Sequence, residues 1–315
     1  YPKILRHVLY FFRVLKDGGW ADIVYAQDPV SVGLPALCAA KLRRKKFVLK
    51  VVGDYAWEQG MQRFRVNDLL YEFSSKKYGF SVEMLRRIQK FIARRASRII
   101  VPSQYLKKIV TQWGVAEDKI EVIPNIVDIK MILTKEEARG KLGLQGTILL
   151  SVGRLVPWKG FQMLIELASQ LSEDVSLIVV GDGPQRPVLE KLAKAKKVKL
   201  VGATSKETLT AYLAAADIFL LNTGYEGFSH QILEAMAAGL PIITTPSGGN
   251  TEIIDNGNNA LLAPYNDLKT WQEAVNKLFK NENLKKHLSE GAKKTAERYT
   301  IEAMITKTEV VLRNA

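Results

Sequence analysis

Ten short apolar runs, most of them separated by stretches of helical length, limit how this chain can fold. A short apolar run bounded by turn residues is typical of a strand that is buried on both faces. Helices between such strands are the usual crossovers of a parallel sheet, so the pattern predicts an α/β fold. The predicted strands are residues 23–26, 47–52, 98–102, 120–123, 147–152, 175–180, 198–201, 217–221, 241–245 and 260–262.

A turn-rich segment, PNIVD at residues 124–128, divides these runs into two series. A chain of 315 residues has room for two domains of roughly 100–200 residues each. We therefore expect two Rossmann-like, doubly wound parallel-sheet domains that face each other across a cleft. The predicted bounds are residues 1–128 and 129–298, and residues 299–315 are expected to form a C-terminal helix that packs back on the first domain.

Composition narrows the class of protein. Apolar residues make up 47% and charged residues 25% of the chain, which is an ordinary globular balance. Cys38 is the single cysteine, so no internal disulfide can form, and this fits a reducing compartment. No apolar run approaches the roughly 18 residues of a membrane-spanning helix. We expect a cytoplasmic protein, either free or peripheral on the inner face of the plasma membrane.

The charge balance is strongly basic, with 46 Lys and Arg against 32 Asp and Glu and a formal net charge of +14. Much of the excess lies at residues 41–46 and 86–98. An anionic membrane surface and a diphosphate-bearing acceptor are candidate partners, and a solvated helix face is the plain alternative. Zinc-finger spacing, an aromatic and basic RNA motif and a recognition-helix pattern are all lacking, so we expect no nucleic-acid partner.

The stretch DIFLLNTGYEGFSHQILEAMAAGLPIITT, residues 217–245, predicts strand, turn, helix and strand in that order. Glu226 would lie on the loop at the carboxyl end of a strand, where open α/β sheets bind ligands. Gly227 lets the backbone approach a ligand, and the free amides of a helix that begins near Ser229 would face the same place. Glu234 lies little more than one turn into that helix. The two carboxylates could bind separate parts of one extended ligand, although two glutamates at this spacing also arise by chance.

A second loop, SVGRLVPWKG at residues 151–160, starts at a strand end and leads into a helix. Arg154 and Lys159 could meet a diphosphate from two directions, since Arg supplies a planar fork and Lys a compact point charge. The plain alternative is an exposed loop with two unrelated cations.

The next strand ends in the turn GDGP, which contains Gly181 and Gly183. Many α/β proteins turn in this way. Pro184 follows and no third glycine occurs, so the turn is not the G-x-G-x-x-G dinucleotide fingerprint. An NAD-dependent enzyme is therefore disfavoured.

Four segments in this order together resemble the retaining family-four glycosyltransferases, which have the GT-B fold and use nucleotide sugars. Ile126 stands where the family usually has glycine, and the resemblance covers the chain from about Asp22 onward. The matching segments are ASRIIVPS at 96–103, EVIPNIVD at 121–128, GDGP at 181–184, and EGFSHQILEAMAAGLP at 226–241.

The resemblance implies a role for each candidate site residue. Asp54 occupies or adjoins the position where many relatives carry a histidine. Fixed cations can meet a leaving diphosphate without a metal, and no Asp-x-Asp pair occurs, so neither metal nor cofactor is expected. The implied roles are catalysis for Glu226 and Asp54, diphosphate binding for Arg154, Lys159, Gly227, Phe228 and Ser229, and nucleotide binding for Gly181, Gly183 and Glu234.

The activity implied is transfer of a hexosyl unit, with retention, from a nucleoside-diphosphate sugar to a glycan or lipid-linked acceptor in cell-envelope polysaccharide biosynthesis. Family members open with a strand and a glycine-rich loop, whereas this chain opens with a helix-like segment at residues 4–15. We therefore expect the first domain to lack its opening βαβ portion. Two alternatives stay open, a non-catalytic nucleotide-sugar-binding partner subunit and an inactive fragment. Self-association, a partner chain or a membrane surface would then cover the early helix, and the plain alternative is that this helix packs on its own sheet.

Overall fold

The computed structural model describes residues 3–194 and 197–315, and the chain divides into two units. Unit 1 comprises Tyr1–Asn125 together with Glu302–Ala315, and unit 2 comprises Ile126–Ile301. Each unit is built on one parallel sheet with helical connections, so the predicted α/β class with two parallel-sheet domains is confirmed.

Unit 1 contains a four-stranded sheet in the order β1-β2-β3-β4, and all neighbouring strands are parallel. Helix α14 returns to this unit at the end of the chain, where Val311 is buried with Val48, Ile100 and Ile123. The elements are α1 (Lys3–Asp17), β1 (Ile23–Ala26), α2 (Gly33–Leu42), β2 (Lys46–Lys50), α3 (Tyr55–Arg63), α4 (Leu70–Ser75), α5 (Phe80–Arg95), β3 (Arg98–Val101), α6 (Gln104–Gln112), β4 (Ile120–Val122) and α14 (Ile301–Arg313).

Unit 2 contains a six-stranded parallel sheet in the order β10-β9-β8-β5-β6-β7. The chain proceeds outward from β5 through β6 to β7, then returns to the other side of β5 and proceeds through β8 and β9 to β10. The elements are α7 (Lys135–Leu142), β5 (Thr147–Val152), α8 (Phe161–Ser169), β6 (Val175–Val180), α9 (Arg186–Ala193), β7 (Val198–Gly202), α10 (Lys206–Ala215), β8 (Ile218–Leu221), α11 (His230–Ala237), β9 (Ile242–Thr244), β10 (Leu261–Leu262), α12 (Leu268–Lys280) and α13 (Glu282–Ala296).

This reversal of strand order creates a topological switch point between β5 and β8, where doubly wound sheets leave a crevice beyond the carboxyl ends of the strands. Both strands are apolar on both faces. Ile148 and Leu150 pack into one hydrophobic cluster and Leu149 into another. This alternation is the period of two expected of a strand covered by helices on each side.

The ten strands predicted from the apolar runs are all present, with ends that differ by at most two residues. The largest difference is at residues 47–52, where β2 ends at Lys50 because the chain already turns toward α3. Among the described helices of residues 3–194 and 197–315, none is both long and apolar enough to cross a bilayer.

Candidate functional site

Two loops meet at the switch point of unit 2, one after β5 and one after β8. Gly224 N donates a hydrogen bond to the carbonyl oxygen of Trp158 at 2.7 Å. Thr223 Oγ1 donates to the same oxygen at 3.3 Å. The predicted cationic loop and the predicted glutamate loop therefore form one hydrogen-bonded surface.

Lys159 and Glu226 form a buried ion pair on this surface, with Lys159 Nζ donating to Glu226 Oε1. The residues are 7% and 9% exposed. Burying a charged group away from water costs roughly several kcal/mol per ion, and the attraction between the two charges offsets part of this cost. An ammonium has three donors, so one bond to Glu226 does not exhaust Lys159 as a ligand for an anion. The structure thus brings together two residues that were predicted to serve one ligand.

A second set of hydrogen bonds fixes the end of the cationic loop. Asn222, directly after β8, is buried, and its Nδ2 donates to the Gly160 carbonyl at 3.0 Å and to Asn266 Oδ1 at 2.7 Å. Asn266 N returns a bond to Asn222 Oδ1 at 3.1 Å. Gly160 has a φ of +52°, and a Cβ there would lie 2.2 Å from Asn222 Nδ2. Sequence reasoning missed Asn222 and Asn266. The one signal was the position of Asn222 at a strand end.

The glycine turn after β6 lies directly against the loop after β5. Gly181 has a φ of +138°, and a Cβ there would stand 1.9 Å from the carbonyl oxygen of Gly153. A Cβ on Gly183 would stand 2.5 Å from the carbonyl oxygen of Leu155, whose own N donates to Asp182 O at 3.0 Å. Both glycines are therefore required by close backbone approach, which holds the nucleotide-turn candidate beside the phosphate-loop candidate.

The start of α11 completes this edge of the sheet. Ser229 is the N-cap, and its Oγ accepts a hydrogen bond from Ile232 N at 3.3 Å. The Phe228 ring is buried and packs edge-on against Tyr299, with ring centroids 5.4 Å apart. The side chain of Phe228 thus belongs to the core, so the predicted role in diphosphate binding would fall to its main chain. Gly227 is buried between these residues and Glu226.

Glu234 lies on α11 and is partly buried. Burial raises the pKa of Glu234, the nearby Lys206 lowers it, and Asp128 raises it. Lys206 Nζ contacts Asp128 Oδ2 at 2.5 Å, so the charge of this ammonium is partly engaged by Asp128. A carboxylate held away from water beside charged neighbours is typical of a ligand-binding position.

Asp54 lies in unit 1, directly before α3, and is 5% exposed. Its Oδ1 accepts hydrogen bonds from Trp57 N at 2.9 Å and from Gln89 Nε2 at 3.0 Å. Burial raises the pKa of Asp54, while these bonds lower it. The structure assigns Asp54 a helix-capping role, and the catalytic role stays a prediction.

Every other predicted site residue lies at the carboxyl edge of the unit 2 sheet or on α11. Arg154 is exposed on the loop after β5, in the segment that contains Lys159. Within residues 3–194 and 197–315, no group of three or more His, Cys, Asp and Glu side chains is arranged to hold a metal. The diphosphate role of Arg154 and Lys159 and the independence from metals both stay predictions.

The family comparisons cover both units. The family described as Glycosyl transferases group 1 matches residues 134–295, and the family described as Glycosyltransferase Family 4 matches residues 1–130. The first match contains the loops after β5, β6 and β8 and the whole of α11.

Two curated relatives are similar over much of the chain. An uncharacterized glycosyltransferase of Methanocaldococcus jannaschii is 30% identical over 271 residues, which cover 81% of this chain and 64% of the relative. The lipopolysaccharide core biosynthesis glycosyltransferase LpsE of Rhizobium meliloti is 29% identical over 181 residues, which cover 56% of this chain and 52% of the relative. The chain therefore spans less than two thirds of the length of these relatives.

A solved structure shows the same fold. Anabaena HepE, in complex with UDP and glucose, superposes with a TM-score of 0.82 at 20% identity, covering 97% of this chain and 81% of that chain. The predicted GT-B glycosyltransferase fold is confirmed. From the family match over more than half of its length, the chain belongs to the glycosyl transferases group 1 family.

Proposed function

We propose that the chain transfers a hexosyl unit, with retention, from a nucleoside-diphosphate sugar to a glycan or lipid-linked acceptor. The observation that carries this proposal is the Lys159–Glu226 pair at the switch point of unit 2. A cation from one loop and a carboxylate from the next suit the two halves of such a donor, since a diphosphate needs positive charge and a sugar needs hydrogen-bond acceptors.

Negative charge develops on the diphosphate as it leaves, and stabilisation of that charge is the main task of the site. Arg154 and Lys159 supply the cations, and the first-turn amides of α11 supply donors at the positive end of the helix dipole. Gly181 and Gly183 let the turn after β6 pack against the loop after β5, and this turn is the candidate nucleotide contact beside these groups. No metal is needed in this scheme.

Glu226 has two tasks in this proposal. It orients Lys159 through the ion pair, and it accepts hydrogen bonds from hydroxyls of the transferred sugar. Glu234, which is partly withdrawn from water, accepts from the two ribose hydroxyls. A poorly solvated carboxylate gains more from such bonds than an exposed one does, because less hydration is lost on binding.

The relatives support both the proposed kind of sugar donor and the proposed pathway. HepE holds UDP and glucose, which favours a nucleoside-diphosphate sugar as donor. LpsE bears the name of a lipopolysaccharide core enzyme, which favours a role in cell-envelope polysaccharide synthesis. We place the protein in the cytoplasm, in peripheral contact with an anionic membrane through unit 1.

The test is calorimetric titration with UDP, GDP and ADP, followed by transfer assays with the matching sugar donors. We expect one nucleoside diphosphate to bind and its sugar donor to be turned over in the presence of acceptor. Absence of binding by all three diphosphates would refute the proposal. Binding without turnover across donors and acceptors would favour the alternative, a nucleotide-sugar-binding partner subunit.

A further inference from the structure

Unit 2 contains a cavity of about 610 Å³ that none of the roles above uses. Asp217, directly before β8, and Pro241, directly before β9, form part of its lining. Because β8 and β9 are parallel, these residues mark the amino edge of the sheet, whereas the loops assigned to the donor lie at the carboxyl edge. The cavity is therefore separate from the candidate donor site, and its volume is within the range of small-molecule sites.

Part of the lining is apolar. Met131 and Leu133, in the segment before α7, and Ala237 and Ala238, at the C-terminal end of α11, line the cavity and keep some of their surface exposed. The buried Leu240 lines it as well. Covering exposed apolar surface is favourable by roughly 25 cal/mol per Å². These side chains therefore favour a ligand with an apolar body.

A basic face of α13 forms another part of the lining. Lys286, Ser289 and Lys293 are spaced three and four residues apart, so they share one face of this helix. Neither lysine forms an ion pair within the described chain. The Lys293 side chain lies along the backbone of Gly239, where a Cβ would stand 2.1 Å from Lys293 Cε. Two ammonium groups without a carboxylate partner favour a ligand that carries two negative charges.

The acidic residues of the lining already have cationic partners. Asp217 accepts hydrogen bonds from Lys135 Nζ at 2.5 Å and from Arg139 Nη2 at 2.6 Å. Glu282 pairs with Lys285 Nζ at 2.5 Å. The two lysines of α13 that lack such partners therefore leave the cavity with an excess of positive charge.

Two helices, α10 and α11, end at this cavity, and carbonyl groups at a helix C-terminus repel an anion. Both ends are occupied by donors. Arg139 Nε donates to the Ala215 carbonyl at 3.0 Å, and Ser289 Oγ donates to the Gly239 carbonyl, directly after α11. The Lys293 ammonium also lies beside Gly239, 3.0 Å from the position of a Cβ there. The negative ends of the two helices are thus offset.

We propose that this cavity is a second binding site, which takes a phosphate monoester with an apolar body. Lys286 and Lys293 bind the phosphate dianion, and Met131 and Leu133 cover the body. The volume holds one ring or a short alkyl chain, so the ligand is a soluble small molecule and not a lipid with two acyl chains. Binding at this site does not depend on the function proposed above.

Calorimetric titration of the full chain with 1-naphthyl phosphate at pH 8 tests the site, since a phosphate monoester with a second pKa of about 6 is a dianion at that pH. Inorganic phosphate and 1-naphthol each carry one half of this probe. They should bind at least about tenfold more weakly, because each lacks the contacts of the other half. Equal binding of either half would overturn the proposed ligand class.

The same titration with saturating UDP shows whether the probe binds apart from the donor. We expect the affinity for 1-naphthyl phosphate to be unchanged by UDP, and displacement of the probe by UDP would overturn the second site. UDP binding itself is measured first, and its absence would refute the transferase function without bearing on this cavity.

Charge is tested by Lys286→Gln and Lys293→Gln, which should each weaken binding of 1-naphthyl phosphate by at least about tenfold, the lower end for a hydrogen bond between charged groups. Lys294→Gln is the matched control. Lys294 is exposed and adjacent to Lys293 on α13, but it does not line the cavity. Equal affinities in the Lys293→Gln and Lys294→Gln proteins would overturn the assignment, as would no binding of the probe to wild type.

The apolar wall has a matched pair of its own. Met131→Ser removes a lining side chain and should weaken binding of 1-naphthyl phosphate about threefold or more, while inorganic phosphate binding should not change. Ile132→Ser is the control, because Ile132 is the next residue and is 84% exposed but does not line the cavity. An equal loss in both variants would overturn the apolar contact.

Discussion

Lys159 and Glu226 are buried and partner each other, so a change at either residue has two effects. It removes a group that we assign to the donor, and it leaves the other charge buried without a counterion. Arg154 differs because it is exposed on the same loop. Comparison of the two cations therefore separates ligand binding from stability.

We predict that Lys159→Met and Arg154→Ala each weaken nucleoside-diphosphate binding by roughly 1.5–3 kcal/mol, as for hydrogen bonds to charged groups. Lys159→Met should also lower the free energy of unfolding by about 3–5 kcal/mol, since it leaves the Glu226 carboxylate unpaired. Adding Glu226→Gln should restore much of that stability without restoring binding. Calorimetry and urea denaturation measure the two quantities, and equal losses for nucleoside and nucleoside diphosphate would contradict the phosphate role.

Glu234 gives a prediction on pH. Because burial raises its pKa in the folded state, the native protein holds this proton more tightly than the unfolded chain does. Its contribution to stability is therefore full below the unfolded pKa of about 4.3 and is lost as the pH rises through the folded pKa. We predict that Glu234→Gln raises the free energy of unfolding at pH 7–8 relative to wild type and weakens binding of the nucleoside.

Urea denaturation at pH 5 and pH 8 measures this effect, and the difference between variant and wild type should be larger at pH 8. Glu273→Gln is the matched control, since Glu273 is exposed on α12. A Glu234→Gln protein that is less stable than wild type at pH 8 would show that the carboxylate is stabilising and that the sign is wrong.

Substitutions at Asp54 can show whether this residue caps α3 or takes part in catalysis. Asparagine keeps an oxygen that can accept from Trp57 N and Gln89 Nε2, so we predict that Asp54→Asn unfolds with a free energy close to that of wild type. Alanine removes the cap, which costs about 0.5–2 kcal/mol, and strands the Gln89 amide. Urea denaturation measures the free energy of unfolding of both variants, and transfer assays measure their activity. An Asp54→Asn protein that is stable but inactive would support the catalytic role, and one that is stable and fully active would refute it.

At the scale of elements, the sequence predicted those features that depend on a local pattern of residues, namely the strands and the start of one helix. Buried parallel strands are apolar throughout, so the runs located them, and a serine before a helical stretch marked the start of α11. The contacts that build the site join distant parts of the chain. Lys159 and Glu226 are 67 residues apart, and Asn222 and Asn266 are 44 apart. No local pattern encodes these pairings, and the cap at Asp54 was hidden because α3 was not predicted.

Glycine substitutions test how closely the turns after β5 and β6 approach. We predict that Gly181→Ala lowers the free energy of unfolding by more than about 3 kcal/mol, because its φ of +138° is strained for alanine and its Cβ would meet the Gly153 carbonyl at 1.9 Å. Gly143→Ala is the control. Gly143 also has a positive φ, of +62°, but a Cβ there meets nothing within 4 Å, so it should cost only about 1–2 kcal/mol. Urea denaturation compares them, and similar costs would refute the close approach.

At the scale of the whole molecule, the net charge of +14 and an exposed face of α5 both favour binding to an anionic membrane. Phe80, Met84 and Phe91 are 76%, 43% and 44% exposed. They share one side of α5 with Arg87 and Arg95, and the Arg95 guanidinium lies 3.6 Å from the centroid of the Phe91 ring. We call these five residues the α5 stripe. Apolar side chains flanked by cations on one helix face suit the interface of an anionic bilayer.

We predict that the protein sediments with phosphatidylcholine vesicles that contain phosphatidylglycerol, and not with phosphatidylcholine alone. The attraction should largely disappear at 1 M salt, where the Debye length falls from about 10 Å at 0.1 M to about 3 Å. Arg87→Gln should weaken binding by about 1 kcal/mol, the contribution of one basic residue near the surface, and the double change Phe80→Ser with Phe91→Ser should weaken it further.

Ile132→Ser is the control, since Ile132 is 84% exposed but lies in unit 2. If that control loses binding as much as the α5 variants do, or if binding is the same at both salt concentrations, the α5 stripe is a solvated helix face and the membrane contact must be abandoned.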